Sequence, residues 1–239
     1  MKISGKTKAL MVVCGMVAIL CISCGGGGGS SSGGGLTISG VVSDENGIIV
    51  PGATVTLRKS DHSTVATTTS SASGAFTLSN VPASTDIYIN VSMASYAGTN
   101  TEIVAVTTSA SNADIMIVNA ASAKDAADAF MGSVVGASWT DAAYAGKGWF
   151  FITTEDSLGN PAAGVSVYSA PSVSILYNDG NDNFIATGPT VSSLNMPEVG
   201  GHNSTTGVYT FTLTKSATTY TVKLPLVLGE ITGTWTGPF

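Results

Sequence analysis

Val50-Pro51-Gly52-Ala53-Thr54-Val55-Thr56-Leu57 reads as a turn running straight into a strand. Pro51 fixes φ and Gly52 leaves it free, the combination a tight reversal needs. Beyond it Val55 and Leu57 share one face and Thr54 and Thr56 the other, the period-two alternation of a strand buried on one side. The same grammar continues on both sides. Upstream, Ile38 and Val41-Val42 form a short apolar run that ends in the turn-forming Asp44-Glu45-Asn46-Gly47. Downstream, residues 65–69 give a further run, and Ser73-Gly74 turns the chain into Ala75-Phe76-Thr77-Leu78. Residues 87–93 alternate clearly, with Ile87, Ile89, Val91 and Met93 on one face and Tyr88, Asn90 and Ser92 on the other. Residues 103–106 and 115–118 close the set. Seven short strands separated by turns predict a β-sandwich over 36–118.

From Trp149 to the end a second β pattern echoes the first. Gly159-Asn160-Pro161-Ala162-Ala163-Gly164-Val165-Ser166-Val167 parallels the run from Gly47 to Val55, and Gly207-Val208-Tyr209-Thr210-Phe211 parallels 74–78. The expected class is all-β: two tandem sandwiches, 36–118 and 148–239, the second carrying an insertion near 170–200. One compact domain with additions is the alternative. Residues 119–147, rich in Ala, Lys and Asp, read as a helical or irregular connector. Ala126, Ala129, Phe130 and Val134 mark its loosely apolar face.

The N-terminal stretch has a different character. Lys2, Lys6 and Lys8 precede an apolar run over 9–22, then Ser23, Cys24 and five glycines. A basic head, a short apolar stretch and a small residue before the cut describe a secretory signal peptide. The run is too short for a membrane span, which takes about 20 apolar residues. Residues 22–24 resemble the lipobox of bacterial lipoproteins, which implies cleavage after residue 23 and diacylation of Cys24. Cutting before Cys21 would place Leu20 where a small residue is needed. Gly and Ser alone fill 25–35, a flexible coil whose mean reach is about 20 Å. The resemblance implies a lipid-anchored protein of the outer membrane, because Gly25 stands where a retention signal for the inner membrane would have Asp.

Composition narrows the function classes. Charged residues are 10% of the chain and hydrophobic ones 44%, too apolar for disorder. Loss of 1–23 leaves a net charge of about −9, which argues against nucleic-acid partners. It also leaves one cysteine, so neither a disulfide framework nor a thiolate metal site is expected.

The run Ser39-Gly40-Val41-Val42, Asp44, Gly47, residues 50–57, residues 74–78, Val81-Pro82 and Tyr96 resemble the carboxypeptidase regulatory-like family. The resemblance covers 36–118 and implies a transthyretin-like, or carbohydrate-binding-like, β-sandwich that accompanies peptidases without being catalytic. Some adhesin relatives carry a Lys–Asn cross-link, but residues 36–42 hold no lysine and 231–239 no Asn or Asp.

Candidate chemistry is sparse. His62 and His202 have no spaced ligand partner and are expected on solvent-exposed loops. Nothing resembles a Gly-x-Ser-x-Gly nucleophile elbow on a strand-to-helix turn, and Asp125/Asp128 and Glu155/Asp156 pair only in sequence. Residues 178–183 offer Asp179, Asn181 and Asp182 at a spacing that suits calcium. A hairpin turn at Asp179-Gly180 accounts for them as well. Fourteen of seventeen aromatics follow residue 120, so Trp139, Trp149 and Trp235 are candidates for stacking on sugar rings, with core filling the other reading. The sequence thus predicts a non-enzymatic envelope protein acting as spacer and interaction module, with no cofactor. Its candidate partners are the membrane, a polysaccharide or another envelope protein. A carbohydrate-binding surface lipoprotein and an accessory subunit of an envelope complex are the alternatives.

Overall fold

The computed structural model describes residues 35–158, 162–178, 184–186 and 198–238, with the side chains of Asn178, Glu198 and Trp235 outside that set. The described residues are all-β apart from two short helices. In the first half, strands β1 (Leu36–Asp44), β2 (Thr54–Lys59), β3 (Thr64–Thr69), β4 (Ala75–Val81), β5 (Asp86–Ser92), β6 (Tyr96–Asn100), β7 (Val104–Ala105) and β8 (Ile115–Asn119) follow one another. The connector holds α1 (Ala120–Met131) and α2 (Ala142–Ala145). The second half contributes β9 (Gly148–Thr154), β10 (Ser166–Ala170), β11 (Ser174–Asn178), β12 (Phe184–Ile185), β13 (Glu198–Asn203), β14 (Gly207–Lys215), β15 (Thr218–Leu226) and β16 (Glu230–Thr236).

The first sandwich has β3-β2-β5-β6 on one side and β4-β1-β8 on the other. Between them Val55, Leu57, Ile87, Ile89 and Val91 meet Ile38, Val42, Phe76, Leu78, Ile115 and Ile117. Two glycines are required by close approach. A Cβ on Gly40 would meet the Ala113 carbonyl oxygen at 2.1 Å, and Gly74, at φ +74°, lies against Ile49 and the Val42 carbonyl. Asp44 closes the first turn by accepting the amides of Asn46 and Ile48, both at 2.9 Å, ahead of Gly47 at φ 75°. Ser70 secures the 50–57 turn: its hydroxyl donates to the Val50 carbonyl and accepts the Ala53 amide.

The second sandwich packs β12-β11-β13-β9-β16 against the three-stranded sheet β10-β14-β15. Phe150, Ile152 and Val199 face Phe211, Leu213, Leu224 and Leu226. The two halves are joined by a strand pair: β6 and β16 run parallel, with Glu230 opposite Gly98 and Thr232 opposite Asn100. One path of hydrogen-bonded strands therefore crosses the molecule, β12-β11-β13-β9-β16-β6-β5-β2-β3.

Several expectations need correcting. Strand β6 follows Met93 where none was expected, and the strand expected at 103–106 shrinks to Val104–Ala105. Met93 lies beyond β5 and is exposed. The echo between the halves does not extend to pairing. Strands β10 and β14 are antiparallel neighbours, whereas their sequence counterparts β2 and β4 belong to opposite sheets of the first sandwich. The connector, expected to be helical or irregular, contains α1 and α2 and is tied to the first sandwich. Glu45, from the first turn, accepts the Asn119 amide and the Ser122 hydroxyl at the start of α1. Asn119 accepts the Ala121 amide, and Gly132 ends the helix at φ 68°. On its buried side α1 packs Ala123, Ala127 and Phe130 with Ala97, Met116, Val118, Trp139, Tyr144, Trp149 and Ile231. This third core seals the junction.

Candidate functional site

Strand alternation places two kinds of side chain on the continuous sheet. In the first half, one face supplies Val55, Leu57, Ile87, Ile89 and Val91 to the core. The opposite face carries Thr54, Thr56 and Arg58 on β2, and Tyr88, Asn90 and Ser92 on β5. Register sets Arg58 beside Tyr88 and Thr56 beside Asn90. Asn100 continues the second row on β6, opposite Asn90.

Much of this polar face is buried: Tyr88 and Asn100 are each 1% exposed and Asn90 is 2% exposed. Buried amides must find partners, and these do so across the junction. Asn90 Nδ2 donates to Asn100 Oδ1 at 3.0 Å, and Asn100 Nδ2 donates to Glu230 Oε2 at 2.9 Å. Thr234 on β16 donates to Glu102 Oε2 at 2.8 Å. Burial pushes the Glu102 carboxyl above the usual carboxylate range, and the Thr234 hydrogen bond opposes the shift. Thr232 donates to the Pro225 carbonyl, tying β16 to the end of β15. Lys223 of β15 pairs with Asp86 of β5 at 2.8 Å.

Tyr88 ends the polar row. Its hydroxyl lies 2.8 Å from Nδ1 of His62, a residue at φ 68° in the β2–β3 turn, and the two rings meet edge-on. Burial raises the phenol above its ordinary value, and the adjacent Arg58 guanidinium pulls the other way.

The aromatic candidates are placed elsewhere. Trp139 is 6% and Trp149 1% exposed, and both indoles belong to the third core. Trp139 stacks on Tyr144 at 5.9 Å and donates Nε1–H to the Gly229 carbonyl, while Trp149 donates to the Tyr144 carbonyl. Rings enclosed in this way have no free face for a sugar, so at Trp139 and Trp149 the reading is corrected to core packing. Trp235 gives its backbone to β16 opposite Thr153, and its side chain lies outside the described set.

Neither histidine is solvent-exposed as expected. His62 is partly buried against Tyr88, and His202 is partly buried on β13, with its ring edge-on to Trp149 at 5.0 Å. Burial, reinforced by the Lys147 ammonium 3.4 Å from Nε2, holds His202 below its ordinary value. Asp128 is structural: it accepts from Lys124 at 2.6 Å and from the Tyr144 hydroxyl at 2.5 Å. Asp179, Asn181, Asp182 and Cys24 lie outside the described residues; β11 and β12, which flank 179–183 in sequence, pair antiparallel. Among the described residues, no group of three or more His, Cys, Asp or Glu is placed to hold a metal ion. Nor is any helix among them long and apolar enough to cross a membrane.

The polar face was missed as a site because sequence patterning treats a strand's polar side as solvated. The available signal was the one arginine of the chain in register with a tyrosine.

Residues 37–118 match the family model of the carboxypeptidase regulatory-like domain, in agreement with the resemblance carried by 50–57 and 74–78. No curated protein sequence matches the chain. Among solved structures, the Bacillus anthracis TIE protein is 11% identical, with 85% of this chain and 34% of that chain covered at a TM-score of 0.28. The present chain thus spans about a third of that protein's length. A candidate carbohydrate binding protein from Bacteroides uniformis is 11% identical, with 82% and 93% covered at a TM-score of 0.30. The shaft pilin SpaA from Lactobacillus rhamnosus GG is 11% identical, with 86% and 98% covered at 0.25. Likeness at this level carries no information on ligand or activity.

Proposed function

We propose that this chain is a non-enzymatic, lipid-anchored protein of the bacterial outer membrane whose sandwiches act together as a spacer and interaction module. The observation that carries the spacer reading is the parallel β6–β16 pair, with its buried Asn90–Asn100–Glu230 chain, which fixes one half against the other. A stand-off built from two sandwiches keeps its reach only if the joint does not bend. Anchoring is supported by Lys2, Lys6, Lys8, the apolar run 9–22 and Ser23-Cys24, followed by the Gly/Ser segment 25–35. Stable attachment takes more than one fatty chain, which diacylation of Cys24 supplies. The regulatory-like domain at 37–118 supports an interaction role over a catalytic one.

The test is fractionation with fatty-acid labelling. Cys24→Ala is expected to move the protein from the membrane to the soluble fraction and to abolish label incorporation. A variant that stays membrane-bound removes the anchoring reading and leaves the interaction module to stand or fall separately.

A further inference from the structure

The edge of a β-sheet displays unpaired N–H and C=O groups, and folded chains blunt such edges with charges, prolines, short strands or covering groups. Most edges among the described residues are blunted in one of these ways. Strands β7 and β12 are two residues long. On β10 the Tyr177 hydroxyl takes both backbone groups of Val167, accepting its amide at 3.2 Å and donating to its carbonyl at 3.1 Å. Strand β15 contains Lys223 and Pro225, whose carbonyls are taken by the Ile103 amide and the Thr232 hydroxyl. Strand β4 is broken near its end by Asn80, at φ 58°, and by a register shift opposite Leu36 and Ile38.

Strand β3 has no such protection. It ends the nine-strand path, and Thr64–Thr69 includes neither a charged residue nor a proline. Ser70 donates its amide inward to the Ala53 carbonyl. Alternation along the unbroken register from Ala66 to Thr69 therefore turns the N–H and C=O of Thr67 and Thr69 away from β2. Both threonines are exposed, and among the described residues no hydrogen bond reaches their outward groups. Val65 and Ala66 pack on the first core, which holds the edge in place.

We propose that β3 is a self-association edge, to which β3 of a second copy of this chain adds antiparallel. This goes beyond the reading of the chain as an interaction module by naming a partner, and it is independent of anchoring. A twofold centred on Thr68 sets Thr67 opposite Thr69 of the second copy, and each such pair exchanges two backbone hydrogen bonds. Threonines that face each other across strands add favourable contacts. Charge favours a copy at this edge. The chain has a net charge of −6, which opposes contact between copies elsewhere, but residues 63–85 hold no charged residue. In the antiparallel alignment Lys59 and Asp61 lie beyond the 70–74 turn of the second copy, so no like charges meet. The same edge is used by both copies, so association closes at two.

Sedimentation equilibrium of the full chain in detergent, with micelles in large excess so that co-occupancy is rare, tests this. One edge buries little area, so the mass is read over about 10 to 500 µM, the range of a weak interface. The expected result is a rise from one copy towards two. Amide hydrogen exchange, followed by NMR on the same samples, should slow at Thr67 and Thr69 as the mass rises. Thr67→Lys/Thr69→Lys sets like charges across the pair and should abolish association with Tm unchanged, because both side chains are exposed. Thr219→Lys/Thr221→Lys adds the same charge at exposed positions of β15 and should associate as the parent does. A single-copy mass throughout overturns the proposal and leaves the edge to a strand of another protein. Association that persists in Thr67→Lys/Thr69→Lys, or is lost equally in the β15 variant, also overturns it. So does association in which the Thr67 and Thr69 amides exchange freely, a result that needs no variant to fold. Protection of those amides at single-copy mass would show that the chain covers its own edge, and overturns it as well.

Discussion

Glu102 shows how a single carboxyl can report on the joint between the halves. Burial raises its value in the folded chain, so the native state binds more protons than the unfolded state between the ordinary carboxylate value and the raised one. Its contribution to stability is therefore complete below the ordinary carboxylate range and is lost as pH rises through the folded value. Glu102→Gln keeps an acceptor for Thr234 and removes the titration. Its Tm should exceed the parent's at pH 7 and equal it at pH 4, as read by circular dichroism; a Tm at pH 7 no higher than the parent's would contradict the account. His202 has the opposite sign. Its lowered value makes the unfolded chain the better proton binder, so stability is full above about pH 6.5 and declines as pH falls towards the folded value. In His202→Gln that acid-side decline in Tm should be reduced.

Among the elements, β6 does most to shape the molecule, and its sequence gives the least sign of it. Tyr96-Ala97-Gly98-Thr99-Asn100 has no alternating aliphatic residues, because β6 is flanked by strands on both edges and its neighbours across the joint are themselves polar or small. Its fixity comes from hydrogen bonds with residues far along the chain. Asn100→Ala should accordingly cost about 1–3 kcal/mol, the usual penalty for leaving buried polar partners unmet, here Asn90 Nδ2 and Glu230 Oε2. Urea unfolding checks this through the midpoint; an unshifted midpoint would remove Asn100 from the joint's energetics. The strands around 50–57 and 74–78 were legible because Gly, Pro and period-two alternation act locally. Legibility failed where partners are non-local. Trp139 and Trp149 were candidates because aromatics crowd the chain after residue 120, yet α1 and β16 enclose them. Arg58, Tyr88 and Asn90 could be assigned to a polar strand face, but their burial depends on elements the local pattern does not reveal.

For the whole molecule, the parallel β6–β16 pair makes the two sandwiches one sheet system. Nine strands at a spacing of about 4.8 Å give a path about 40 Å wide. With three cores connected through that path and α1, the full chain should unfold in one transition. Far-ultraviolet circular dichroism and tryptophan fluorescence, to which the buried indoles of Trp139 and Trp149 at the junction contribute, should give superimposable urea curves. Two resolved transitions would show that the halves fold independently. Residue 35 feeds directly into β1, whose end runs parallel to β8 from the pairing of Val42 with Ile115 to that of Asp44 with Ile117, after an isolated parallel bridge between Ile38 and Ala110. Strand β8 then leads into α1 and the second half. A pull between residue 35 and the second half would therefore act at opposite ends of two parallel neighbours. Such a load falls on their hydrogen bonds in shear, all strained together, instead of peeling them one at a time.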